Sequence, residues 1–154
     1  MKLNRSVSYA VGIVLQIDAL AGGGYVTATK IARGCRFPPR FLYRILRRLV
    51  AAGVLRGTSG PGGGYALAKP AERTTLFEIV EGVEAGLEPS ALEPVRSNQR
   101  AAIAQINQLC ARNAERFAAE LKRVTLAELS RAEPGRKKKA RAKTARRRAA
   151  AKKK

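Results

Sequence analysis

The stretch from Pro38 to Leu67 constrains the fold more than any other part of the chain. Pro38 and Pro39 suit the first turn of a helix, where the backbone donor that proline lacks is not needed. Phe41, Leu42, Ile45, Leu46 and Leu49 then recur at the spacing of one helix face. That spacing predicts a helix to about Ala52, with Gly53 as a C-terminal glycine cap. Val54-Leu55-Arg56 and Tyr65-Ala66-Leu67 are β-prone and flank a glycine-rich run from Gly57 to Gly64, which predicts a hairpin. A phosphate cradle is the other reading of such a run. It would end in Gly-Lys-Ser or Gly-Lys-Thr ahead of a helix, and this one does not.

Two more helices precede this block. Ser6 to Leu20 places Val7, Ala10, Val11, Val14 and Ile17 on one face, and Ala21-Gly22-Gly23-Gly24 ends it. Thr27 to Arg33 is short, with Ala28, Ile31 and Ala32 as its buried side, and Gly34 opens a tight turn. Two short helices joined by a turn form a helix-turn-helix, and the hairpin after it reads as a wing. Arg40, Tyr43, Arg44 and Arg47 lie opposite the apolar stripe of the second helix. One side can pack while the other enters a major groove. Arginine there can pair bidentately with guanine or hold phosphate.

Thr75-Leu76-Phe77-Glu78 has the capping-box pattern and opens a helix to about Glu84. A loop containing Pro89 and Pro94 follows. Asn98 to Arg123 reads as one long helix, about 39 Å at 1.5 Å per residue. Ile103, Ile106, Cys110, Phe117 and Val124 fit a heptad seam, with Asn113 where a further apolar residue would fall. Such a seam seeks a partner helix, and a polar residue within it can fix register. Packing on its own domain is the alternative. Thr125-Leu126-Ala127-Glu128 repeats the capping pattern before a last short helix, and Pro134 ends the folded part. The expected class is mainly α. A winged helix-turn-helix DNA-binding domain spans 1–85, linker and dimerisation helices 86–134, and a disordered basic tail 135–154.

Charge narrows the function. The 154 residues hold 31 Lys and Arg against 11 Asp and Glu, a net +20. Twelve of the cations fall between Arg136 and Lys154, where no acid occurs, leaving the rest of the chain at +8. Within that rest, no acid lies between Asp18 and Glu72, a gap that contains nine cations. An acid-free basic block implies a polyanionic partner, and double-stranded DNA fits the helix-turn-helix. The tail adds phosphate affinity without base reading. No apolar run of about 18 residues or secretory signal is evident, so a cytoplasmic, nucleoid-associated protein is expected. Two cysteines are too few for a disulfide framework. With no histidine and no paired-carboxylate or nucleophile–base pattern, an enzyme is not expected.

Five stretches carry a resemblance: Ser8-Tyr9-Ala10-Val11, Phe41 to Leu49, Gly53-Val54-Leu55, the wing Arg56 to Leu67 with its Gly60-Pro61-Gly62-Gly63-Gly64-Tyr65 core, and Val124 to Leu129. In this order the chain, over about residues 1–132, resembles the Rrf2 family of bacterial winged helix-turn-helix regulators. That family includes iron–sulfur and nitric-oxide sensors. The resemblance implies a homodimer, joined through the long helix around 98–123, on a pseudo-palindromic operator. It also implies backbone contacts from Lys2, Arg5, Ser6 and Tyr9. Arg40, Tyr43, Arg44 and Arg47 would face bases, and Arg56 at the wing base would hold phosphate. Thr29, Pro39, Ser59, Gly60 and Pro61 complete the expected DNA-binding set.

Two departures qualify what is carried over. Cluster-binding relatives place three closely spaced cysteines between the wing domain and the long helix. The corresponding stretch here, about Gly86 to Leu109, has none. A cluster needs thiolate or similar ligands. No iron–sulfur cluster, other cofactor or metal is therefore expected. Many relatives also carry arginine near the wing tip, where this chain has Ser59. The two cysteines have open readings. Cys35, between Arg33 and Arg36 in the turn of the motif, is either a thiol switch or a small packed residue. Cys110, on the seam, either faces its copy across a dimer or packs in a core. The competing function is a nucleoid-type protein that binds DNA through its tail with little sequence preference.

Overall fold

The computed structural model describes residues 3–22, 24–34, 38–84, 87 and 90–132. Lys2, Cys35 and the tail 135–154 lie outside them. The elements run α1 (Arg5–Ala21), α2 (Ala28–Gly34), α3 (Pro39–Ala51), β1 (Leu55–Thr58), β2 (Gly64–Leu67), α4 (Leu76–Val83), a 3-10 turn (Ser97–Gln99), α5 (Arg100–Arg123) and α6 (Leu126–Ala132). The class is mainly α with a small two-stranded sheet, as expected.

Local chemistry sets the ends of these helices. Asn4 caps α1 by accepting the Ser6 N–H at 2.7 Å, and Gly22 closes it in the left-handed region at φ 51°. Gly53, at φ 71°, follows α3 as the glycine cap. Thr75 and Glu78 form the reciprocal box: the Glu78 N–H donates to Thr75 Oγ1 at 3.3 Å, and the Thr75 N–H to Glu78 Oε2 at 3.0 Å. Thr125 and Glu128 repeat it at 3.3 and 2.9 Å. The two capped starts also pair with each other. Leu76 N–H donates to Val124 O and Leu126 N–H to Thr74 O, both at 2.8 Å, making an antiparallel bridge between Thr75 and Thr125.

The core gathers beneath α1. Val7, Ala10, Ile13, Val14 and Ile17 of α1 are buried with Ile31, with Leu42, Ile45, Leu46 and Leu49 of α3, and with Ile79, Val80 and Val83 of α4. The α1 stripe is wider than its period suggests. Ile13 is fully buried while Val11 is half-buried. The reason is that α2, α3, α4, β2 and α6 all pack on α1, so more than one face is covered.

The wing pairs antiparallel, with Leu55 opposite Leu67 and Thr58 opposite Gly64. A third segment joins it. Val26, between α1 and α2, exchanges both backbone bonds with Tyr65 at 2.9 Å. Gly64 allows this approach: it sits at φ 148°, and a Cβ there would lie 2.4 Å from Val26 O.

The heptad seam requires a correction. It does not run unbroken to a partner. In the C-terminal turns of α5, Ala114 and Leu121 are buried and Phe117 packs on the core, with Lys122 over the Phe77 ring at 4.5 Å. Val124 ends the helix and accepts the bond from α4. The N-terminal turns differ: Ile106 is 41% and Leu109 52% exposed. The cause is length. At about 36 Å, α5 overruns the domain it packs against, so one apolar pattern meets two environments.

Candidate nucleic-acid interface

α3 is built so that one face is buried and the other open. Leu42, Ile45, Leu46 and Leu49 are buried, whereas Arg40, Tyr43, Arg44 and Arg47 are exposed, Tyr43 at 52%. Pro38 precedes the helix without a side-chain cap bond, and the first turn holds no acid. The positive end of the helix dipole therefore meets no local negative charge, a setting suited to phosphate.

Not every arginine of α3 belongs to this face. Arg48 turns the other way and donates from Nη1 to Val83 O at 2.7 Å, satisfying a carbonyl at the end of α4. Its spacing already separates it from the outer four.

Aromatic rings support two of the exposed arginines. The Arg44 guanidinium lies over the Phe41 ring, 4.6 Å from its centre, and Phe41 meets Tyr9 of α1 edge-on at 6.3 Å. The contact brings the first turns of α1, with Arg5 and Ser6, beside α3. The Arg56 guanidinium likewise lies 5.5 Å from the centre of Tyr25. Such stacking narrows the conformations of a long side chain while leaving its N–H groups free to bind. Sequence reasoning overlooked Tyr25. The signal was available: Tyr25-Val26-Thr27 is a β-prone triplet behind the glycines that end α1.

The remaining expected residues are on the surface as well. Thr29 on α2, Pro39 at the start of α3, and Ser59, Gly60 and Pro61 at the wing tip are exposed. Gly60 and Gly62 turn the tip with φ of 93° and 79°. Lys2 and Cys35 lie outside the described residues. Cys110 is a half-buried free thiol.

The loop before α5 has its own anchor. Leu92 N–H donates to Asn107 Oδ1 at 2.8 Å, and Asn107 Nδ2 donates back to Leu92 O at 3.0 Å. Among the described residues no three His, Cys, Asp or Glu side chains gather so as to hold a metal. With one carboxylate, Glu93, and a carboxamide already engaged at both ends, the described loop does not fit an iron–sulfur cluster. Among the described residues no helix is long and apolar enough to cross a membrane.

Relatives share this architecture. CymR (YrzC), the global cysteine regulator of B. subtilis, superposes with a TM-score of 0.66 at 20% identity, over 86% of this chain and 98% of that one. IscR of T. potens does so at 0.60 and 21%, over 88% and 90%. In sequence, the HTH-type transcriptional regulator IscR of Cereibacter sphaeroides is 35% identical over 86 residues, 54% of this chain and 56% of that protein. The chain spans about half the length of most of the curated relatives it matches. The family model described as "Rrf2: Iron-dependent Transcriptional regulator" matches residues 3–132. By that match, which covers all of the elements from α1 to α6, the chain belongs to the Rrf2 family of transcriptional regulators.

Proposed function

We propose that this protein regulates transcription in the cytoplasm as a homodimer that binds double-stranded DNA by sequence and carries no iron–sulfur cluster. The observation that supports this most is the outer face of α3: four exposed side chains, three of them arginine, with no acid in the helix. Arg40, Tyr43, Arg44 and Arg47 face base edges in the major groove. Lys2, Arg5, Ser6, Tyr9, Thr29, Pro39 and Arg56 hold the flanking backbone, and the wing tip Ser59-Gly60-Pro61 follows the neighbouring groove. Residues 1–85 supply these contacts. Residues 86–134 present the exposed turns of α5 to a second copy and also close the core through Leu121 and Leu126.

Titrating a duplex with the full chain against excess random competitor DNA tests this reading. Specific binding survives a large excess of competitor. Binding lost in proportion to total DNA favours the second reading, a nucleoid-type protein held by its tail, which the twelve cations between Arg136 and Lys154 support. The tail has a separate signature. If roughly six of its charges engage phosphates, removing residues 135–154 flattens the log–log salt dependence by about 5 while the preferred site stays the same.

A further inference from the structure

We infer that Asn107 is a positioning residue that fastens the loop ahead of α5 to that helix through a neutral carboxamide, so that this tie, and DNA binding with it, is indifferent to iron. The inference rests on the cluster-free reading above and adds to it the group that ties this loop to α5. Asn107 lies two turns into α5 and engages both the N–H and the C=O of Leu92, fifteen residues earlier. One planar amide thereby replaces a backbone pairing partner, the reciprocal geometry that holds two strands together.

The location gives the clasp its meaning. Residues 90–96 have no helix or strand of their own, and Leu92 and Val95 are 49% and 91% exposed. At its far end the Arg96 N–H donates to Gln99 Oε1 at 3.2 Å and the Gln99 N–H to Arg96 O at 3.0 Å, so the clasp at Leu92 is the tie that holds the middle of the described loop to α5. The clasp holds the Leu92 backbone against the N-terminal half of α5, the half in which Ile106 and Leu109 are exposed. A carboxamide has no redox couple and does not titrate near neutral pH, so this tie responds to neither iron nor oxidant.

The test uses the full-length chain and two variants. Asn107→Leu removes both bonds. Asn107→Asp keeps an acceptor for the Leu92 N–H but places a carboxylate against the Leu92 carbonyl. Amide exchange at Leu92 is expected to quicken about tenfold in Asn107→Leu and to change little in Asn107→Asp. Far-UV circular dichroism should stay the same in both. Affinity for a duplex selected by the wild-type chain is expected to fall several-fold in Asn107→Leu. Wild-type affinity should be equal after anaerobic incubation with ferrous iron and sulfide and after chelation. Unchanged exchange in Asn107→Leu overturns the clasp. Faster exchange with unchanged DNA affinity overturns its positioning role, and both results leave the regulator reading standing. Stoichiometric iron and sulfide in the purified wild-type protein overturn the inference together with the cluster-free reading.

Discussion

α3 and α5 each carry one apolar stripe, and the two stripes end in different surroundings. Every member of the α3 stripe from Leu42 to Leu49 is buried within the chain, so the opposite face is left to Tyr43 and the arginines. In α5 only Ala114 and Leu121 are buried, and two turns nearer its start Ile106 and Leu109 face outward. A stripe fully used inside the fold leaves its other side open, and in α3 that side is the face proposed to bind DNA. A stripe used over half its length marks the exposed half as the place for something else to pack.

Paired substitutions put the largest strain on this contrast. Leu46→Ala should cost about 2–5 kcal/mol in a denaturant melt, because a buried leucine leaves a cavity. Ile106→Ala, measured where the chain is dilute enough to be monomeric, should change stability by no more than about 0.5 kcal/mol. Equal losses would mean that the start of α5 belongs to the chain's own core. On the working surface the expected effect is on binding. Arg44→Ala should weaken operator affinity by about 1–3 kcal/mol at an unchanged melting temperature. Phe41→Leu should produce part of that loss, since the ring under the guanidinium is gone while an apolar side chain remains.

Two further effects sharpen the comparison at the wing and at the start of α4. Gly64→Ala should destabilise by about 1–3 kcal/mol, from positive-φ strain and the close approach to Val26. A melting temperature equal to wild type would show that the wing does not hold this pairing in solution. The start of α4, unlike that of α3, carries an acid. Burial works against charge on Glu78, but bonds from Lys69 and from the Thr75 N–H and hydroxyl outweigh it and hold the carboxyl below its usual range. A folded-state pKa below the unfolded value means that the stabilisation is complete above the unfolded pKa. It is lost as pH falls through the depressed folded value. Glu78→Gln should therefore melt lower by less than about 1 kcal/mol at neutral pH and converge on wild type in acid. A constant gap at all pH values would assign the effect to packing.

Much of this was legible in the chain, and the reasons differ by region. α3 could be read because stripe and charge reinforce each other: the apolar period and the acid-free outer positions name the same faces. The capping boxes at Thr75 and Thr125 could be read because each is a local exchange over three residues. The pairing of those two starts across fifty residues could not, since no short pattern encodes it. Phe117 was assigned to a seam because periodicity reports that a face is apolar without saying what covers it. Tyr25 and Asn107 were missed for a related reason. Each acts through a partner distant in sequence, Arg56 in one case and the backbone of Leu92 in the other. Lys2 and Cys35, both singled out from the sequence, lie outside the described residues.

Whether α3 reads bases is decided most directly by selecting duplexes from a random library with the full-length protein and, in parallel, with Arg44→Ala. The expected result is one pseudo-palindromic sequence enriched by the wild type, its half-sites about one helical turn apart or a multiple of that. With Arg44→Ala the preference should relax at one position of each half-site. Recovery of unenriched sequence by the wild type, at affinities set by salt alone, would contradict it.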